Sequence, residues 1–98
     1  MKNLKVENIK NNGRNVNNQF IISYEENNKK YRIFQSYNSM ILRWENDVLI
    51  EVGLDWNYSR TTGKYRNFLT DMNKKQFKKM LEENFEYRWQ TGSYNRVK

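Results

Sequence analysis

Histidine and cysteine are both absent from this sequence of 98 residues. Without histidine, the chain lacks the commonest general base, the Ser-His-Asp and Cys-His arrangements and every imidazole metal ligand. Without cysteine, it forms neither a disulfide framework nor a thiolate metal site. The sequence therefore argues against a hydrolase, a redox enzyme or a zinc enzyme. We expect a non-enzymatic binding protein that uses no cofactor.

Long hydrophobic runs are missing too. No stretch approaches the roughly 20 apolar residues that a membrane-spanning helix needs, and residues 1–7 lack the apolar run of a signal peptide. We therefore expect a cytoplasmic protein without a membrane partner, and the lack of cysteine fits a reducing compartment.

Aromatic and basic residues are abundant. Three Trp, seven Tyr and five Phe allow a small core to be built from few large side chains, because each ring can bury roughly 150–250 Å². The net charge of +7 attracts polyanions or acidic partners. Solubility, or the lysine and asparagine bias of an A+T-rich coding sequence, would explain the same charge without a function.

Alternating apolar residues predict two β-hairpins. The first pairs residues 20–24 with 31–34, and the second pairs 40–45 with 48–52 through Asn46 and Asp47, which tolerate the positive φ of a two-residue turn. In that register Trp44 faces Leu49 and Arg43 faces Ile50. Both faces of the second hairpin carry apolar groups, so we expect it to lie centrally with a covering layer on each side.

One clear helix is predicted to begin after Asn73, because Gln76 stands at the spacing of a capping box. Apolar residues recur from Phe77 at three- and four-residue intervals, and residues 85–90 then alternate like a closing strand. The predicted fold is α+β: an antiparallel sheet of four to five strands, two hairpins plus a carboxy-terminal strand, packed against one amphipathic helix.

The domain organisation follows from the same patterns. Residues 19–90 read as a single α+β domain, and residues 91–98 read as a flexible tail. The asparagine-rich residues 1–18 bury little, so they form either a loosely ordered arm or an edge strand of the sheet.

Residues 55–67 combine cations, hydroxyls and aromatic rings, a mixture that binds phosphates and stacks bases or forms a protein-binding hot spot. The alternative is that the rings are core and the hydroxyls cap local backbone. The candidate partner- or phosphate-binding residues are Arg60, Lys64, Arg66, Tyr58 and Tyr65.

A second basic surface is predicted on the helix, where lysines repeat at positions i and i+4 and repel one another. An ordinary solvated helix face is the alternative interpretation. The four residues are Lys74, Lys75, Lys78 and Lys79.

Catalytic motifs find little support. A phosphate-binding loop around Gly63 and Lys64 fails, because its first glycine and its hydroxyl residue are replaced by Tyr58 and Tyr65. A Mg²⁺ site for phosphoryl transfer would have to use Glu51, Asp55 and Glu86.

Two stretches, residues 34–41 and residues 56–69, resemble a family of small phage and mobile-element proteins with the pattern F-x-S-Y-x-S/T-x-I, then Y-S-x-T-T-x-K/H, then F-L. The resemblance covers a third to a half of the chain and implies a biological context without a mechanism. The polar residues of the pattern form either a network that fixes the fold or the site itself. They are Ser36, Tyr37, Ser59, Thr61 and Thr62.

By analogy, proteins of this size from phages commonly act by binding and blocking a host macromolecular complex. The resemblance therefore implies an inhibitor of a host nucleic-acid-handling defence complex, of the anti-CRISPR type, in the cytoplasm of an infected bacterium. Its partner would be a host protein or a ribonucleoprotein such as a CRISPR effector. The alternatives are a direct DNA- or RNA-binding protein and, third, a Mg²⁺-dependent nuclease.

Overall fold

Seven strands and two helices form the protein in a computed structural model that describes all residues 1–98. Every strand pairing is antiparallel, and the spatial order is β1-β2-β3-β4-β5-β7-β6. The strands are β1 (Lys2–Asn11), β2 (Arg14–Glu26), β3 (Lys29–Ser36), β4 (Ser39–Glu45), β5 (Val48–Gly53), β6 (Phe85–Arg88) and β7 (Ser93–Arg96). The helices are α1 (Arg60–Thr70) and α2 (Lys74–Asn84).

Asparagine and aspartate make two of the tight turns in the meander β1 to β5. Asn27 and Asn28 have φ angles of 52° and 63°, and Asn46 and Asp47 have φ angles of 47° and 68°. Two successive residues with positive φ give the turn whose twist matches that of the flanking strands, and these side chains tolerate it. The predicted turn at Asn46 and Asp47 is confirmed.

One row of cross-strand neighbours carries the core. Phe34, Leu42 and Val52 are fully buried in the middle of this row, beneath Tyr65 of α1 and Phe77 of α2. Because side chains alternate between the faces of a sheet, neighbours in register share one face. In strand order, the row is Ile21, Phe34, Leu42, Val52, Tyr94 and Tyr87.

The opposite face of the sheet has no helix over it, so the expected covering layer on each side is wrong. Its side chains pack on one another: Tyr24 and Tyr31 stack with ring centroids 5.1 Å apart, and Arg43 Nε lies 3.3 Å from Glu51 Oε1. The Arg43–Ile50 pairing is also wrong. An irregularity in the ladder between Arg43 and Trp44 places Glu51 opposite Arg43, while Trp44 faces Leu49 as predicted.

The predicted helix and its capping box are confirmed in α2. Asn73 Oδ1 accepts a hydrogen bond from the backbone N–H of Gln76 at 2.8 Å, and Gln76 Oε1 accepts one from the Asn73 N–H at 2.9 Å. Each bond satisfies a donor that would otherwise be unpaired at the helix start.

The predicted sheet of four to five strands with one helix is wrong, because the protein has seven strands and two helices. Helix α1 was not predicted. Its buried residues are Thr62, Tyr65 and Arg66, so the sequence has no stripe of aliphatic residues at helical spacing in this segment. Neither helix is long and apolar enough to cross a membrane.

Both chain ends are part of the sheet. Residues 2–11 form the edge strand β1, and residues 14–18 begin β2. Ile9 and Val16 of this first hairpin pack against the core. Residues 91–98 were expected to form a flexible tail, but they contain β7, which pairs with both β5 and β6. Its short polar sequence, Ser-Tyr-Asn-Arg, carries no strand signal that stands out without its neighbours.

Candidate functional site

The segment 55–67, expected to form a binding surface, contains the N-cap and most of helix α1. Ser59 is the N-cap of the helix: its Oγ accepts a hydrogen bond from the Thr62 N–H at 3.2 Å, and its carbonyl accepts from the Gly63 N–H at 2.9 Å. A serine in this role satisfies a free donor of the first turn. The hydroxyls are therefore engaged in starting the helix.

A hydroxyl chain ties this helix start to the sheet. Thr62 Oγ1 lies 3.1 Å from Ser59 Oγ and 2.8 Å from Ser36 Oγ. Ser36 and Thr62 are buried, and buried polar groups need such partners. Ser36, Ser59 and Thr62 thus form a shared polar network between α1 and the end of β3.

Tyr37 and Tyr58, the sequence neighbours of Ser36 and Ser59, form an aromatic pair. Their rings meet edge to face with centroids 5.5 Å apart, and Tyr58 is 64% exposed. Tyr37 has a φ of 56° and its N–H donates to the Asn18 carbonyl at 2.7 Å. Thr61 is partly buried.

Tyr65 and Arg66 are wrong as surface-binding residues, because both point into the core. Tyr65 is 6% exposed and Arg66 is 1% exposed. The Arg66 guanidinium donates from Nη1 to the Trp56 carbonyl at 2.7 Å and from Nη2 to Asn67 Oδ1 at 2.8 Å. Its carbon Cζ lies 5.2 Å from the centre of the Trp56 ring and 5.1 Å from that of Phe77.

This buried cation has an electrostatic cost. None of the ion pairs in the protein involves Arg66, and burial lowers the pKa of its guanidinium below the usual arginine value. Aromatic faces and carbonyl oxygens attract the charge in place of a carboxylate. Arg66 therefore joins α1 to the loop at Trp56 and to α2.

The remaining predicted cations do lie on the surface. All are exposed on the two-helix layer, and none belongs to an ion pair. We call this set the basic helical surface; it consists of Arg60, Lys64, Lys74, Lys75, Lys78 and Lys79.

The candidate carboxylates are held apart by other contacts. Glu51 accepts from Ser93 Oγ at 2.5 Å and pairs with Arg43, while Asp55 accepts from Ser39 Oγ at 2.7 Å. Glu86 lies in the β6 edge strand. The structure does not gather three acidic side chains into a group that could hold a metal ion.

An aromatic surface beside α2 was not predicted. Tyr87 and Tyr94 meet edge to face at 5.5 Å, Trp56 lies across the same cleft, and Trp89 is 80% exposed at the hairpin turn. The alternation of residues 85–89 indicated a strand but could not show which rings the helices leave uncovered. The register of β6 against β7 decides which of these rings lie on the face of the sheet that the helices cover.

A family model covers most of the chain. Residues 4–85 match a family of unknown function, DUF8033. The chain belongs to this family. No curated protein matches the sequence, and no solved structure matches it.

The DUF8033 match covers the meander and both helices, and it ends at Phe85. It thus includes the hydroxyl chain, Arg66 and the basic helical surface. The exposed rings of Tyr87 and Trp89, on the carboxy-terminal hairpin, lie outside the matched residues.

Proposed function

We propose that this DUF8033 protein is a non-enzymatic binding protein that docks through the basic helical surface on a nucleic-acid-handling defence complex of a bacterial host and blocks it. It would work in the host cytoplasm, as inhibitors of the anti-CRISPR type do. Supporting observations are the charge and the exposure of these six residues and the absence of ion pairs between them and carboxylates.

The single observation that carries the proposal is a set of three like-charge pairs at i and i+4. Each pair of this kind destabilises its helix by about 0.2–0.5 kcal/mol. An anionic partner that neutralises both cations removes this repulsion, so binding regains what folding loses. The pairs are Arg60 with Lys64, Lys74 with Lys78, and Lys75 with Lys79.

The position of these cations within their helices adds to the argument. Lys74 and Lys75 lie in the first turn of α2 and Arg60 begins α1, while neither helix has an acidic residue in its first turn. The positive end of the helix dipole disfavours cations there and attracts anions. Both effects favour a polyanionic partner.

Direct binding of DNA or RNA is the second candidate, because the same surface would neutralise phosphates. It predicts an affinity that falls by about 0.9 log unit per log unit of salt for each phosphate contacted on duplex DNA. A docked protein complex gives a shallower dependence, set by fewer charged contacts.

The test is an affinity pull-down from bacterial lysate with two matched variants. In one, Lys74, Lys75, Lys78 and Lys79 become Gln; in the other, Lys2, Lys10, Arg14 and Lys30, exposed residues of the sheet, become Gln. Mass spectrometry identifies the retained proteins, and a parallel sample is treated with nuclease first.

We expect the wild type and the sheet variant to retain one nucleic-acid-handling complex that survives nuclease, and the helix variant to lose at least about 90% of it. Thermal melting should show all three proteins folded. Equal retention by the two variants would refute the basic helical surface as the docking site. Material lost on nuclease treatment would favour direct nucleic-acid binding.

A further inference from the structure

The cleft between α2 and the hairpin β6–β7 is a second surface feature. Its volume is about 200 Å³, and its walls are mostly aromatic. The apolar residues that line it are Trp56, Leu81, Phe85, Tyr87 and Tyr94. Tyr94 and Tyr87 end the cross-strand row that forms the core.

A shallower concavity adjoins this cleft along the β6 edge. Trp89, Arg88 and Tyr87 contribute to it, and Tyr87 lines both depressions. Tyr87 is 46% exposed and Trp89 is 80% exposed, so ring surface is available to a ligand on either side of Tyr87. Exposed large aromatic groups next to one another mark interaction sites on folded proteins.

Charged residues of two elements surround the rings: Glu86 and Arg88 of β6 line the shallower concavity, and three more lie along α2. Lys78 lines the cleft, Lys74 lies one turn before it on the helix, and Glu82 lies one turn after it on the same wall. Glu82 disfavours a phosphate inside the cleft, whereas Lys74 and Lys78 favour one at its rim. A ligand that fits must place an uncharged flat group among the rings and an anion at the lysines.

We propose that this aromatic cleft binds unstacked bases of a single-stranded nucleic acid, with the backbone phosphates on Lys78 and Lys74. Proteins that hold single strands combine a basic track with rings on which bases stack, and each stack is sequence-tolerant. A duplex keeps its bases inside and can reach only the lysines. The inference shares Lys74 and Lys78 with the basic helical surface, but it goes beyond the proposed function and does not require docking on a host complex.

The experiment measures the affinity of the intact protein for a fluorescein-labelled oligothymidylate and for a duplex of the same length, by fluorescence anisotropy. Tyr87→Ala and Trp89→Ala test the rings, and Lys78→Gln tests the phosphate contact. Phe68→Ala is the matched control, since Phe68 is 76% exposed on α1 and does not line the cleft.

We expect the oligothymidylate to bind more tightly than the duplex and to quench tryptophan fluorescence. Removing one stacking ring costs about 5- to 150-fold in affinity for a single strand, so Tyr87→Ala and Trp89→Ala should each lose that much. Both should leave duplex binding unchanged. Lys78→Gln should weaken the binding of both oligothymidylate and duplex, and Phe68→Ala should weaken the binding of neither.

The outcomes separate this inference from the proposed function. Oligothymidylate binding that depends on the lysines but not on Tyr87 or Trp89 overturns the aromatic site and leaves the basic helical surface intact. A wild-type protein that ignores oligothymidylate yet retains a nuclease-resistant complex also overturns it. Ring-dependent binding together with equal pull-down by the two charge variants supports the cleft and refutes the proposed docking surface.

Discussion

The two helices have the same length and both present cations to solvent, but they are held to the sheet by different chemistry. Helix α2 packs through Phe77 and Leu81, an apolar stripe at regular spacing. Helix α1 buries Thr62, Tyr65 and Arg66, and its contacts include a hydroxyl bond to the sheet and a guanidinium between two rings.

The difference separates two kinds of helix anchoring. Apolar burial on α2 is non-directional and scales with the area removed from water. The polar contacts of α1 depend on distance and angle, and they are costly when one partner is missing. Substitutions in α2 should therefore act through lost volume, and those in α1 through unpaired polar groups.

The largest expected effect is that of Phe77→Ala. This ring is fully buried in the core, so its loss should lower the free energy of unfolding by about 3–5 kcal/mol. Urea denaturation followed by circular dichroism measures the change. The control Phe68→Ala, on an exposed ring of α1, should change stability by less than about 0.5 kcal/mol. Similar losses in both variants would mean that the core is not where α2 meets the sheet.

The next effect is that of Arg66→Ala, which removes the polar anchor of α1. A cavity opens between Trp56 and Phe77, and two acceptors lose their donor, so we expect a loss of about 2–4 kcal/mol in the same measurement. Arg60→Ala, an exposed arginine on the same helix, is the control, with a change below about 0.5 kcal/mol. If Arg66→Ala spared stability and abolished partner binding, Arg66 would be a binding residue after all.

The smallest expected effect concerns the exposed cations at the start of each helix. Lys74→Glu replaces a cation at the positive end of the α2 dipole and turns the repulsive pair with Lys78 into an attractive one. Stability should therefore rise by about 0.5–1 kcal/mol while retention of the partner falls. Arg60→Glu should act alike on α1. A gain in stability with unchanged binding would argue that the cations are an ordinary solvated face.

The fold was predictable where sequence patterns are local. Asn46 and Asp47 specify a turn by backbone preference, and Asn73 with Gln76 specifies a helix start by hydrogen bonds three residues apart. Both were correct because neither depends on distant residues. Helix α1 and strand β7 were missed because their partners, Ser36 and Glu51, lie far away along the chain.

The candidate site was predictable only in its charges. Arg60 and Arg66 look equivalent in the sequence, six residues apart in one basic segment, yet one is exposed and the other is buried. Helical geometry places them on different sides of α1, and that separation exists only once the segment is helical. Tyr87 likewise looked like any other residue of a closing strand.

The sequence by itself determined the net charge and excluded the chemistry of histidine and cysteine. It also determined the turns and the start of α2. Composition and contacts within a few residues do not depend on the fold. Tertiary structure alone decided which cations face solvent, which hydroxyls join α1 to the sheet, and which rings remain uncovered at the β6 edge. The physical reason is that burial is a property of neighbours, and the neighbours of Arg66, Ser36 and Tyr87 are brought together only by the paired sheet and the two helices packed on it.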